Sequence, residues 1–112
     1  KRLEAERSLT EMVHDAVAGS LSDGVPKMPA IARRMGMSER TLQRRLSEEG
    51  LSFQALVDSA RRDLAEGLLM QSDYSLAEVA FLTGFSEQSA FTRAFKRWSQ
   101  QTPAAYRGAN RG

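Results

Sequence analysis

The stretches "IARRMGMSERTLQRRL", Ile31 to Leu46, and "VAFLTGFSEQSAFTRAF", Val79 to Phe95, follow one plan. Each passes from an apolar residue and an alanine to a glycine, a large apolar residue, Ser-Glu and a new periodic segment. Ile31 and Ala32 answer to Val79 and Ala80, Gly36 to Gly84, Met37 to Phe85 and Ser38 to Ser86. Beyond the turn the second copy is one residue longer before Arg44 and Arg93 correspond. Short helix, tight glycine turn and second helix make up the helix-turn-helix plan. The glycine suits the left-handed backbone of such a turn. Met37 and Phe85 are placed to plug the angle between the two helices. One copy is a weak signal. Two copies, separated by a segment of helical pattern, constrain the chain to an all-α fold: two helix-turn-helix subdomains joined by a long linker helix.

The remaining periodicity agrees, and strand signals are weak. Ser8 and Glu11 form a capping box ahead of Leu9, Met12, Val13, Ala16 and Val17. That helix should fade at Gly19, leaving "GSLSDGVPKMP" as a loop. Pro29 suits the first turn of the next helix, which carries Ile31, Ala32 and Met35 and stops at Gly36. Ser38 caps a third helix ending by Gly50. The linker, Ser52 to Gln71, should bury Phe53, Leu56, Val57, Ala60, Leu64 and Leu68. Ser75 and Glu78 form a second capping box, opening a short helix ended by Gly84. The next helix leads to Pro103, which starts a final short one toward Tyr106. About seven helices result. They group as residues 1–28 (an N-terminal helix and loop), 29–51, 52–71 and 72–112.

A chain of 112 residues with 41% apolar content can bury a modest core. It has no cysteine, so neither disulfides nor thiolate zinc sites hold it together. No run approaches the ~20 apolar residues of a membrane span. The opening "KRLEAERS" reads as the interior of a longer cytosolic protein. The net charge is only +2, but it is unevenly spread. Up to Met28 the acids exceed the bases by one; the surplus lies in two clusters, Arg33 to Arg45 and Arg93 to Arg111, around a more acidic stretch from Glu48 to Glu78. Two basic clusters suggest two contact points for a polyanion.

At ~100° per residue, Gln88, Ser89, Thr92, Arg93 and Lys96 share one sector of their helix, opposite Ala90, Phe91, Ala94, Phe95 and Trp98. In the first copy Arg40, Gln43, Arg44 and Ser47 form a stripe facing away from Leu42 and Leu46. A merely solvated face would favour Glu and Lys, which are better helix formers than Ser or Thr. Arg pairs with guanine, Gln with adenine, and the Thr methyl with the thymine methyl. Both faces therefore predict contact with double-stranded DNA. Phe91, Phe95, Trp98 and Tyr106 are read as core, and Arg33 and Arg34 as flanking or solvated. A lone His14 and the absence of a glycine-rich phosphate loop argue against an enzyme or a cofactor.

"SLAEVAFLTGFSEQSAFTRAFKRWSQQTPAAYR" resembles the signature of AraC-type regulators, the family of the arabinose-operon regulator, and the similarity extends over roughly Pro29 to Arg107. The resemblance implies seven helices in two helix-turn-helix units. By motif position it implies base reading by Arg40, Gln43 and Arg44 in the first unit, and by Gln88, Ser89, Thr92 and Arg93 in the second. Lys96 and Arg97 occupy phosphate-contacting positions, and the helix N-termini near Ser38 and Ser86 offer N–H groups to phosphates. RNA polymerase is implied as a partner, with a small-molecule effector acting only through an upstream domain. The sequence departs from the family in three places. Gln100 replaces a usual glycine, predicting a tighter or more strained turn before Pro103. Arg62 replaces a common leucine in the linker. The acidic "LSEEG" argues against phosphate contacts by the last turn of the first reading helix. The rival reading, a helical protein-interaction module, predicts an exposed apolar patch; the two small cores are expected to need every large apolar residue.

Overall fold

Ser8 opens the first helix as its capping box predicts: its Oγ accepts the Glu11 N–H (3.1 Å), and its own N–H donates to Glu11 Oε1 (3.2 Å). The computed structural model describes residues 8–111, so all of "KRLEAERS" before Ser8 lies outside the described residues. Seven α-helices follow in order: α1 (Leu9–Ser20), α2 (Met28–Arg34), α3 (Glu39–Glu48), α4 (Phe53–Gln71), α5 (Leu76–Leu82), α6 (Gln88–Ser99) and α7 (Pro103–Arg111). No strand occurs among the described residues. The all-α class and the order of the elements are as the sequence implies. Two compact units divide the chain: α1 and Val25–Ala60 make up the first, and Leu21–Gly24 with the residues from Arg61 onward the second, so that one boundary falls inside α4.

The first unit packs α1 on α2 and α2 on α3. Its buried residues include Val13, Val17, Ile31, Ala32, Leu42, Leu46, Leu56, Val57 and Ala60. In the second unit α5 packs on α6 and α6 on α7. Ala65, Leu69, Val79, Ala80, Phe91 and Phe95 form its core, with Leu68, Leu76, Phe85, Trp98 and Tyr106 against it. Burying each phenylalanine contributes about 1.5–3 kcal/mol relative to leaving it exposed. Of the four aromatic residues expected in the core, Phe91 and Phe95 are fully buried there, while Trp98 and Tyr106 are half-buried against it; Phe95 and Tyr106 meet edge to face, 5.3 Å between centroids.

Three expectations need correction. The loop after α1 is not wholly irregular: Leu21–Asp23 make a 3-10 turn that packs on α5, and Leu21 is fully buried. An apolar residue in a polar loop found a core that local pattern could not reveal. In α4 the predicted stripe holds at Leu56, Val57 and Ala60; Phe53, Leu64 and Leu68 are only half-buried, whereas Ala65 and Leu69 are fully buried. A helix that supplies two cores need not keep one stripe. Arg62 stands exposed and pairs with Glu66 at 2.9 Å, so its departure from leucine removes nothing from the core. Finally, Phe81 is 64% exposed and Tyr74 44%, so not every large apolar side chain is spent on a core.

Candidate nucleic-acid interface

The repeated turn recurs bond for bond. In the first copy Met37 N–H donates to the Ala32 carbonyl (3.0 Å) and Gly36 N–H to Arg33 (3.1 Å). In the second, Phe85 N–H donates to Ala80 (3.0 Å) and Gly84 N–H to Phe81 (3.0 Å). This paired closure is a Schellman motif, and it needs the left-handed residue that Gly36 (φ +74°) and Gly84 (φ +90°) provide. The half-buried Phe85 then tilts against Phe91 and Trp98 of α6, at 5.7 and 6.1 Å. Turn and α6 are thereby held together.

A residue outside the repeat secures the second turn. Arg61 of α4 donates from Nε to the Thr83 carbonyl (2.9 Å), and its guanidinium lies 3.7 Å from the centre of the Phe85 ring. Thr83, wholly buried, donates its hydroxyl back to Val79 (2.8 Å) and Ala80 (3.0 Å). The sequence reading missed this clamp. Arg61 lies in the acidic stretch, where charge patterning draws no attention to it.

The helix caps explain the extra residue of the second copy. Ser38 is the N-cap of α3, its Oγ accepting the Thr41 N–H. The cap of α6 is Glu87, without a side-chain cap bond. Ser86, expected at the helix opening, stands one residue before the cap. Counted from the caps, the two helices come into register. Arg40 and Ser89 are second, Gln43 and Thr92 fifth, Arg44 and Arg93 sixth, Ser47 and Lys96 ninth. Their inward residues match as well: Leu42 and Phe91 fourth, Leu46 and Phe95 eighth, all buried. Arg40, Gln43, Arg44, Gln88, Ser89, Arg93, Lys96 and Arg97 are exposed, and Thr92 is half-buried. Within each unit the expected site residues therefore lie along one helix and point away from the core.

Hydrogen bonding distinguishes some of these residues. Arg44 Nη1 lies 3.1 Å from Glu48 Oε2. Ser89 Oγ donates to Glu87 Oε1 at 3.4 Å. Arg34, at the end of α2, donates to Ser20 Oγ at 3.2 Å. Without a side-chain cap on α6, its first-turn N–H groups are open to an anion.

The helix-turn-helix domain family model matches residues 31–109. The DNA-binding domain of AdpA, a global transcriptional factor solved in complex with a target DNA, is 34% identical; the likeness covers 94% of this chain and 95% of that one, with a TM-score of 0.74. The chain is an AraC-type helix-turn-helix DNA-binding domain. VirS, a helix-turn-helix transcriptional regulator of Mycobacterium tuberculosis, is 40% identical over 94% of this chain. The domain spans only 31% of the length of VirS, and 28% of VqsM from Pseudomonas aeruginosa. A DNA-binding transcriptional dual regulator from Escherichia coli K-12 shares the fold at a TM-score of 0.88, with 97% of each chain covered at 22% identity. Among the described residues no helix is long and apolar enough to cross a membrane.

Proposed function

We propose that this AraC-type domain reads double-stranded DNA through the exposed stripes of α3 and α6, each inserted into a major-groove segment. The two segments would lie about one turn apart on the duplex. The observation that carries the reading is the shared register: both helices set an arginine sixth after the cap, on a face backed by buried residues. Arg40, Gln43 and Arg44 read base edges for the first helix, and Gln88, Ser89, Thr92 and Arg93 for the second. Lys96 and Arg97 neutralise phosphates, as do the backbone N–H groups following Ser38 and Ser86. The role is binding, with no reaction catalysed. In a whole regulator the domain works in the cytoplasm with RNA polymerase, and a small-molecule effector acts through a part outside this chain.

Binding of this kind releases counterions. Affinity for a duplex chosen from a random library should fall about tenfold or more across a few-fold rise in salt. Salt-independent binding, or no duplex selected, would count against the proposal. A helical protein-interaction role finds support in one place, the shallow apolar depression lined by Tyr74, Ala77, Glu78, Phe81 and Leu82 on and before α5. It lies off the reading stripe of α6, so the two roles are compatible.

A further inference from the structure

We infer that Glu48 is a specificity-determining residue of α3, one that holds Arg44 for a base edge and away from the phosphates. The inference rests on the DNA-reading function proposed above. Arg44 and Glu48 lie one turn apart on the reading helix, their side chains each 62% exposed and joined at 3.1 Å. The register with α6 shows what is unusual here. Glu48 is the tenth residue after its cap, and its equivalent on α6 is Arg97. Two otherwise parallel stripes differ in sign at this position. The carboxylate stands where the second helix carries a group suited to phosphate.

Helix stability is a poor account of Glu48. An exposed pair at this spacing contributes little, and Arg preceding Glu is the less favourable order. A carboxylate in the last turn also faces the negative end of the helix dipole. Its neighbour Glu49 accepts a hydrogen bond from the Thr10 hydroxyl of α1, so it has a structural task that Glu48 lacks.

The chemistry of arginine supplies a reason. A guanidinium has five N–H donors, and on a groove-facing helix it can reach phosphate as well as bases. Phosphate contact is the same on every sequence and adds no discrimination. With one nitrogen held by Glu48, Arg44 keeps donors for the paired acceptors of guanine, O6 and N7. The carboxylate's own charge opposes approach to a phosphate. Glu48 thus lowers binding to arbitrary DNA more than binding to the preferred site.

The test uses the 112-residue chain as wild type, Glu48→Gln, Arg44→Ala and the double variant. Each is titrated with a selected duplex and a random one across a salt series. Glu48→Gln should tighten random-duplex binding about three- to tenfold and steepen its salt slope by about one, the effect of roughly one more neutralised phosphate. The selected duplex should change by less than about twofold, so discrimination falls. With Arg44 already removed, Glu48→Gln should shift both duplexes by one common factor. Equal tightening on both duplexes with Arg44 present would overturn the inference, as would an unequal effect surviving in Arg44→Ala, or no effect at all. A wild-type chain that selects no duplex overturns the DNA reading itself; that failure appears without any variant.

Discussion

Arg44 and Arg93 occupy the same position after their helix caps, yet they belong to different units and should report on different base pairs. Arg44→Ala and Arg93→Ala should each relax preference at a separate position, costing roughly 1–3 kcal/mol at the preferred base. Lys96→Ala should weaken selected and random duplexes about equally. Binding-site selection with each variant checks this; if the two arginine variants relax the same base pairs, the two-reader assignment is wrong. Gln100 makes a separate residue-scale case. It is the one non-glycine residue with positive φ among those described, at +67°, and it forms the C-cap of α6. The departure from glycine read in the sequence thus carries the strain expected of it. Gln100→Gly should raise stability by about 0.5–1 kcal/mol, because relief of the left-handed conformation outweighs the added freedom of the unfolded chain. Thermal or denaturant unfolding measures the change, and a destabilised variant would refute the strain.

Among the elements, α6 depends most on groups outside itself. Its packing through Phe91 and Phe95 was legible from helical spacing, since large apolar side chains opposite a polar stripe leave few alternatives. The Arg61 clamp was not legible, because its partners are a carbonyl and a ring 22 and 24 positions along the chain. Arg61→Met keeps the aliphatic stem but loses the donor to Thr83 and the charge over Phe85. Destabilisation of roughly 1–3 kcal/mol is expected, from a charged hydrogen bond and a cation–π contact together. Hydrogen exchange should localise the loss to the amides of α5 and α6. Exchange altered evenly over all helices would contradict a local clamp. At the other end of the unit, Arg107 of α7 donates to the Leu69 carbonyl at 3.0 Å and the Ser72 carbonyl at 3.4 Å, satisfying orphan acceptors where α4 ends.

For the molecule as a whole, α4 is the helix that the two units share, 19 residues long, while the chain also crosses from one unit to the other on either side of Leu21–Gly24. Its length is about 28 Å at ~1.5 Å per residue, against the ~34 Å that separates successive turns of a duplex. One alanine inserted after Ala60 turns the rest of the helix by about 100° and advances it by about 1.5 Å. Each unit keeps its own buried residues, so both should fold. The expected outcome is a footprint reduced to one segment, with affinity falling toward that of a single unit. A footprint unchanged over two segments would mean that α4 is a flexible tether. The sequence by itself determined the helices, their capping boxes, the paired glycine turns and the polar stripes. Those features rest on local periodicity and on residues three to five positions apart. Only the tertiary structure decided that Leu21 is buried, that Ala65 and Leu69 are fully buried while Leu64 and Leu68 are half-buried, and that Arg61 holds the second turn. It also left Phe81 in solvent. Such outcomes depend on which distant surfaces meet, and the free energy of burial belongs to the pair of surfaces rather than to either segment alone.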